Sequence, residues 1–250
     1  MKSLARHAVL LASLAISSCI TNHFVEPVHS IHFSEPWQGS ITAAYDRHQK
    51  FYFDGLVLLP SQIITGAAFA SPNKYLSNDQ KSVSFTTGYF IPFELYSLSI
   101  LAGFGFGSHR MDSVITTNPG NMFVPRSIDG YSDFRKYSLE ACFSQPVSKF
   151  ELLGSAGQIY SSSVLRLSYL DRYNCYEIRR DYWQGPRNFD SIFVYGGPKQ
   201  NLLLDFGGSL GAVLTPISVV GQTIISLPLG FPQFNLQDYI TGSIGVRYNF

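Results

Sequence analysis

The side chains best able to do chemistry in this sequence are the adjacent Ser108 and His109, with Asp112 close behind them. A serine nucleophile needs a base within hydrogen-bond reach, and lipid hydrolases and acyltransferases that work at a membrane edge use such a Ser/His pair. Adjacent residues of a strand point to opposite faces, so Ser108 and His109 cannot pair directly. Residues of a following loop would have to complete the site. A lipid-modifying enzyme is therefore kept as an alternative to a protein without enzymatic activity.

A second pattern, Gly207-Gly208-Ser209-Leu210-Gly211, has the G-x-S-x-G spacing of a hydrolase nucleophile. That chemistry requires a strand, a sharp turn and a helix, with Asp and then His later in the chain. Here a strand-like alternation runs through the serine, and the last histidine of the chain is His109. The glycines of Gly103–Gly107 recur every second residue and precede no helix, unlike a dinucleotide loop. We expect no catalytic residue and no cofactor.

Cys19 is a predicted site of lipid attachment. Lys2 and Arg6 form a positive region, and the apolar run Ala8–Ile16 follows it. Ile16-Ser17-Ser18-Cys19 then resembles a lipobox, the cleavage motif of bacterial lipoproteins. Small residues fit the lipoprotein signal peptidase, and the Cys19 thiol receives the diacylglycerol, with further acyl chains such as palmitate stabilising the anchor. Ile20 stands where Asp would favour retention in the inner membrane, and no acidic cluster follows, so we expect the lipid in the periplasmic leaflet.

The segment Arg172–Arg187 is the predicted binding surface. It is rich in aromatic and basic side chains, the usual anchors of binding surfaces, and the residues singled out are Tyr176, Arg179, Arg180 and Trp183. Contact of an external loop with its neighbours or with lipid headgroups is the plainer interpretation. Three histidines near residue 30 are too few and too loosely placed for a metal site, so we predict no metal.

The composition is that of a β-rich membrane protein. Of 250 residues only 14% are charged, and there are 20 Phe and 15 Tyr, whereas ordinary globular chains are about 25% charged. No stretch reaches the roughly 18 apolar residues of a membrane-spanning helix. No basic tract exists, so nucleic acid is not an expected partner. A soluble β-sandwich has a similar composition, so the strand pattern has to decide.

Apolar and polar residues alternate with a period of two along most of the chain, which predicts strands. At the end of the chain, Ile244, Val246, Tyr248 and Phe250 share one face. The opposite faces of several predicted strands carry the charged residues Glu140, Arg166, Asp205 and Arg247. In a soluble sandwich such buried charges are costly unless paired, whereas in a barrel they can pair across a polar lumen. The alternation does not tell which face is outside.

The pattern predicts about ten strands, joined by connections that alternate between short and long, with the short first hairpin near His48 as the exception. Short connections are predicted at Pro60-Ser61, Pro92-Phe93, Pro146-Val147-Ser148 and Gly197-Pro198-Lys199, and long ones at 71–80, 108–130, 172–188 and 213–238. Outer-membrane barrels show this asymmetry. The predicted strands are 39–47, 50–59, 62–70, 81–91, 94–107, 131–145, 149–171, 189–196, 200–212 and 239–250. Cys142 then lies in a strand and Cys175 in a long loop, which does not favour a disulfide.

Three segments carry a family resemblance: Gly39–Tyr45 with Phe51–Ala70, then Asn201–Gly211 after Gly197-Pro198-Lys199, and the closing Gly242–Phe250. With the lipobox, they resemble an uncharacterised group of Bacteroidota outer-membrane β-barrel lipoproteins. The resemblance covers most of the predicted barrel. It implies a fold and a location and brings no activity and no catalytic residue.

The sequence therefore predicts an all-β protein, an antiparallel up-and-down β-barrel of about ten strands. Residues 1–18 are the expected signal peptide, 19–38 a lipidated tether and 39–250 the barrel. The expected role is non-enzymatic, namely structural, ligand-binding or surface-contact, in the bacterial outer membrane. Expected partners are outer-membrane lipid and, during biogenesis, the barrel assembly and lipoprotein-sorting machineries. The alternatives are a lipid-modifying barrel enzyme and a lipid-tethered periplasmic barrel that binds an apolar ligand inside.

Overall fold

The computed structural model describes residues 37–46, 50–71, 78–117, 124–152, 154–181, 189–194, 200–229 and 240–250. No helix within these ranges is both long and apolar enough to cross a membrane. The strands in these ranges are β1 (Gly39–Asp46), β2 (Phe51–Leu58), β3 (Ile63–Ser71), β4 (Asn78–Pro92), β5 (Ser97–Thr117), β6 (Val124–Leu152), β7 (Ser155–Asp181), β8 (Phe189–Val194), β9 (Gln200–Leu214), β10 (Ile217–Leu229) and β11 (Ile240–Asn249).

Ten of these strands close into one antiparallel barrel. Strands β1 to β7 pair in chain order, β7 pairs with β9, and β9, β10 and β11 follow, after which β11 pairs with β1. The closing register runs from Ser40 opposite Asn249 to Asp46 opposite Ser243. Gly39 and Phe250 exchange both backbone hydrogen bonds, at 2.8 and 3.0 Å. The prediction of an up-and-down barrel of about ten strands is confirmed.

Two of the predicted strand assignments are wrong, and their errors cancel in the count. Strand β8 is predicted as a member of the barrel, but it pairs with the last part of β7, Tyr176–Asp181. The earlier part of β7, from Gln158 to Asp171, pairs with β9 and forms the barrel wall. Strand β10 lies within 213–238, which the sequence predicts as a long connection. The alternation of apolar and polar residues is hidden in this strand because its inward face carries the apolar Val220 and Ile224, which are buried. The predicted short connection at Gly197-Pro198-Lys199 lies outside the described ranges.

The predicted boundaries of β5, β6 and β7 are also wrong. These strands extend to Thr117, Val124 and Asp181 at one end, into segments predicted as long loops. The predicted turn at Pro146–Ser148 is a register shift within the β6–β7 pair, and the chain turns instead near Gly154, whose φ is +78°. The sequences of these extensions mix polar and apolar residues without a regular period of two, so the pattern that predicts a strand fades there.

The apolar face of the barrel points outward and the polar face inward. On β11, Ile244 and Val246 are 63% and 54% exposed, whereas Arg247 is 3% exposed. On β6, Leu139 is 56% exposed and the adjacent Glu140 is 2% exposed. This settles the orientation that the alternation left open. The alternative of a periplasmic barrel that binds an apolar ligand inside requires the apolar face to point into the lumen, and this face points outward.

The two ends of the barrel differ. We call the end that holds Gly39 and Phe250 the lower end and the opposite end the upper end. Connections at the lower end are short and lie at Pro60–Gln62, at 93–96, near Gly154 and at 215–216. At the upper end, each connection contains residues outside the described ranges. Outward aromatic rings flank the apolar residues on both sides. Toward the lower end, the ring centroids of Phe93 and Tyr96 are 4.4 Å apart and those of Tyr96 and Phe143 are 5.0 Å apart. Toward the upper end, the centroids of Phe104 and Tyr137 are 5.3 Å apart and those of Tyr45 and Phe51 are 4.8 Å apart. An apolar band therefore lies between two aromatic girdles.

Glycines on the lumen side of β5 allow close approach of neighbouring groups. A Cβ atom at Gly107 would overlap the backbone oxygen of Lys81 and would lie 2.6 Å from the Phe134 ring. At Gly221, on the outer side of β10, an added Cβ would meet nothing within 4 Å. The interior tolerates no side chain at Gly107, as expected of a narrow barrel.

We predict that Gly107→Val lowers the free energy of unfolding by about 1–3 kcal/mol, because overpacking forces side chains and backbone apart. The matched substitution Gly221→Val should change it by less than about 0.5 kcal/mol. Urea unfolding of protein refolded into detergent micelles measures both values. Equal effects at the two positions would show that the lumen is not tightly packed at Gly107.

Candidate functional site

Arg166 is the centre of a row of charged side chains in the lumen. The strand register places Glu140 of β6 and Asp205 of β9 directly beside Arg166 of β7. Arg166 Nε donates to Asp205 Oδ2 at 2.7 Å, and its Nη1 lies 3.7 Å from Glu140 Oε2. All three side chains are buried. Removing one member of such a row leaves an uncompensated buried charge, so the three residues act as a set.

A second polar row crosses the closing seam. Asp54 of β2, Thr42 of β1, Arg247 of β11 and Ser218 of β10 are successive cross-strand partners. Arg247 Nε donates to Thr42 Oγ1 at 3.0 Å, and the arginine is 3% exposed. The row therefore joins the first and last strands of the barrel through side chains as well as through the backbone.

The two rows face a small internal cavity. Its charged lining consists of Lys136, Arg166, Arg247, Asp54 and Glu140, and its volume is about 50 Å³. A water molecule needs roughly 10–15 Å³ of such space, whereas pockets for organic ligands measure roughly 300–1,000 Å³. The cavity fits a few water molecules and is too small for an organic ligand.

Below this cavity, apolar side chains fill the lumen on the side of β2 to β5. The buried cluster consists of Leu56, Leu58, Ile64, Phe90 and Leu101, each at most 3% exposed. Together with the charged rows, this cluster occupies space that a wide aqueous channel would need. The part of the lumen that the structure describes is a packed core.

Both cysteines of the barrel are free. Cys142 is buried in the lumen, where its Sγ lies 3.5 Å from Ser144 Oγ, and Ser144 is 2.8 Å from Ser162 Oγ. Cys175 lies on β7 and not in a loop.

His109 lies on the lumen side of β5 above the apolar band, and Ser108 is on the outer side. Their nearest partners across the strand pair also differ, because Ser108 is opposite Asp133 and His109 is opposite Ser132. Burial, followed by the charges of Lys50 and Arg172, lowers the pKa of His109 from 6.5 to about 4. The imidazole is therefore neutral at pH 7, and the chain does not bring Ser108 to it. The side chain of Asp112 lies outside the described residues.

Of the residues predicted to bind a partner, Tyr176 is placed with its surroundings. It pairs with Tyr131 of β6, the two rings stack with centroids 4.8 Å apart, and the Arg110 guanidinium lies 5.3 Å from the Tyr131 centroid. Sequence analysis missed Tyr131 and Arg110 because only the strand register brings them beside Tyr176. No signal in the sequence gives that register.

The remaining predicted site residues are not tested by the structure. Arg179 and Arg180 lie on β7, opposite Ser191 and Asp190 of β8, and their side chains are outside the described set. Trp183 and Cys19 are outside the described residues altogether. Among the side chains that are described, no group of three or more His, Cys, Asp or Glu is arranged to hold a metal ion.

Comparison with known proteins gives similarity at the level of structure. No family model and no curated protein matches the chain. The translocator domain of the autotransporter NalP from Neisseria meningitidis is 12% identical with a TM-score of 0.38, covering 84% of this chain and 86% of that chain. The KdgM porin is 8% identical with a TM-score of 0.34, covering 85% and 99%. At this identity and these TM-scores, the similarities do not tell what this chain does.

We predict that Arg166→Met lowers the free energy of unfolding by about 3–5 kcal/mol, because it removes the cation that lies between the buried carboxylates of Glu140 and Asp205. The triple variant Glu140→Gln, Arg166→Met, Asp205→Asn should be more stable than Arg166→Met alone. Urea unfolding in detergent micelles measures both. A triple variant that is less stable than the single variant would contradict a self-compensating row.

A second prediction concerns pH. Because the pKa of His109 is 6.5 in the unfolded chain and about 4 in the barrel, the unfolded chain binds a proton between these values that the folded barrel does not. Stability therefore falls as the pH falls from about 7 toward 4, and at pH 5 we expect a loss of at most about 2 kcal/mol relative to pH 7.5. Urea unfolding at both pH values should show this loss in the wild type and not in His109→Gln. An equal loss in both would exclude His109 as its origin.

Proposed function

We propose that this protein is an integral β-barrel of the bacterial outer membrane, anchored in addition by a lipid on Cys19, with a non-enzymatic structural, ligand-binding or surface-contact role. The outward apolar band between two aromatic girdles carries this proposal. On β5, the band runs from Leu98 to Phe106, which at about 3.4 Å per residue and a tilt of 35–45° spans roughly 20 Å across a bilayer. A closed barrel also pairs the backbone groups of its strands internally, as the hydrocarbon core requires.

The lipid anchor agrees with the orientation of the barrel. Short connections face the periplasm in outer-membrane barrels, and Gly39 begins β1 at the end where the connections are short. Residues 19–38 would then leave the barrel on the periplasmic side, which is the leaflet expected for the Cys19 lipid. We propose the lipoprotein-sorting and barrel assembly machineries as its partners in biogenesis.

The non-enzymatic role is favoured by the placement of Ser108 and His109, the Ser/His pair considered for catalysis. Ser108 and His109 lie on opposite faces of β5, so the base cannot reach that nucleophile. The packed lumen argues against bulk porin activity, since its cavity of about 50 Å³ is lined by paired charges and closed below by the apolar cluster. These features leave the outer surface and the upper end of the barrel for contacts with other molecules.

Carbonate extraction of membranes tests this proposal, with Cys19→Ser as the variant that lacks the acyl anchor. We expect wild type and variant both to stay in the membrane pellet, and both to migrate faster on a detergent gel when unheated. Labelling with radioactive palmitate should be lost in the variant.

The outcomes separate the two parts of the proposal. Release of Cys19→Ser into the soluble fraction would show a barrel held only by its lipid and would overturn the integral location. Palmitate labelling that persists in the variant, or is absent from the wild type, would overturn the lipid anchor and leave the barrel in place.

A further inference from the structure

The outer surface of β4 to β7 changes character above the apolar band. The register aligns Phe85, Phe104, Tyr137 and Tyr169 as one outward row across these four strands. The row below it is mostly apolar: Ala102, Leu139 and Leu167 lie beside Thr87, whose hydroxyl donates to the backbone oxygen of Ile64. The aromatic row therefore lies next to the upper limit of the band, which ends one row higher at Phe106.

Each of the next three rows above contributes one exposed cation. The first row holds Arg135, the second holds Lys81 and the third holds Arg110. Outward rows are about 6.6 Å apart along a strand, or roughly 5 Å along the membrane normal at a tilt near 40°. The band ends on β5 at Phe106, in the row that also holds Arg135. Counted from that row, Lys81 lies about 5 Å higher and Arg110 about 10 Å higher. Since the headgroup region is roughly 5–8 Å deep on each side of the hydrocarbon, Arg135 lies at its inner limit, Lys81 within it and Arg110 just above it.

These cations are concentrated on one side of one end. The exposed Lys and Arg side chains among the described residues are Lys81, Arg110, Arg135 and Lys149. Of these four, Lys149 lies elsewhere, near the lower end of β6 and opposite Gln158 of β7. A random scatter of solubilising charges would not gather three of them on adjoining rows directly above an aromatic girdle.

Aromatic rings hold two of the three cations. The guanidinium of Arg135 lies 5.0 Å from the centroid of Tyr173, and that of Arg110 lies 5.3 Å from the centroid of Tyr131, which stacks on Tyr176. Cation–π contacts within about 6 Å are attractive and fix the position of the charge. The surface is thus ordered before any ligand binds.

Hydrogen-bonding groups lie between these cations. A groove of about 240 Å³ is lined by Lys81, Ser108, Arg110, Tyr131, Asp133, Asn174 and Tyr176 among others. Asn174 has a φ of +50° at a register shift of β7, and its Nδ2 donates to Asp133 Oδ2 at 2.9 Å. Carboxylate, amide and hydroxyl groups offer the donors and acceptors that sugar hydroxyls need, and the cations match phosphate.

We propose that this groove, with Arg135 at its lower edge, binds the phosphorylated sugar headgroup of an outer-leaflet glycolipid. The proposal rests on the proposed outer-membrane location. The acyl chains of the lipid lie against the apolar band, Lys81, Arg110 and Arg135 contact phosphate, and Asp133 and Asn174 contact sugar hydroxyls. Among the described side chains nearby, the carboxylates of Asp133 and Asp171 offset part of the positive charge. Charge alone therefore attracts a simple anionic lipid only weakly, and the contacts with sugar hydroxyls favour a phosphorylated sugar.

Native mass spectrometry of the full-length protein in detergent tests this. The probes are diphosphorylated lipid A, the same lipid A after removal of its phosphates, and phosphatidylglycerol. Wild type should bind diphosphorylated lipid A at least about tenfold more tightly than either other probe. The variant Lys81→Gln, Arg110→Gln, Arg135→Gln should bind diphosphorylated lipid A at least about tenfold more weakly than wild type, because the loss of even one charge-assisted hydrogen bond weakens a complex by roughly tenfold.

A matched pair of single variants controls for charge alone. Lys81→Gln should weaken binding of diphosphorylated lipid A, and Lys149→Gln, an exposed lysine at the opposite end, should not. Equal binding of the three probes by wild type, or equal loss from Lys81→Gln and Lys149→Gln, would overturn the proposal.

A separate measurement distinguishes this failure from failure of the proposed location. Each variant is first checked for carbonate-resistant membrane retention and for a heat-sensitive fast band on a detergent gel. Retained, heat-modifiable protein without the lipid preference overturns the headgroup site alone. Protein that is released by carbonate overturns the location, and the headgroup site with it.

Discussion

The architecture depends on the pairing of β1 with β11. An open sheet would leave a row of backbone N–H and C=O groups at each edge, which is costly away from water. The seam removes both edges, from Ser40 opposite Asn249 to Asp46 opposite Ser243. Once the sheet is closed, each strand has one inward and one outward face, and the period of two in the sequence decides which residues are enclosed.

Closure also explains where the charges lie. Residues on one face of adjoining strands form rows, so Glu140, Arg166 and Asp205 become neighbours although they are far apart in the chain. Their ion pairs follow from the register together with the residue types. The same register places three cations on the outside in successive rows above an aromatic row. The same ladder of backbone hydrogen bonds thus decides which charged side chains meet in the lumen, where they are buried, and which lie on the outside, where they are exposed.

Sequence reasoning reached the fold and the polarity of the strands, because alternation is strong wherever one face contacts apolar surroundings. It failed where that contrast weakens. Strand β10 has apolar residues on both faces, and the sequences of the β5, β6 and β7 extensions mix polar and apolar residues without a period of two. It found Tyr176 from composition alone, but Tyr131 and Arg110 become its neighbours through cross-strand register, which a single sequence does not encode locally. The low pKa of His109 could not be predicted from the sequence, because its largest cause is burial, followed by the charges of Lys50 and Arg172, which the fold brings near the imidazole.

The hydrogen bond between Arg247 and Thr42 joins residues 205 positions apart. Loop-closure entropy rises with such separation, and contacts between distant parts of a chain form slowly. The strands between them can pair with their neighbours one hairpin at a time, but the seam can form only after all of them are in place. Until then two strand edges are exposed together, and after it forms none of the ten strands can leave without breaking ladders on both sides. The barrel is therefore expected to gain and lose its structure in a single cooperative step, with the seam as the last contact made in assembly.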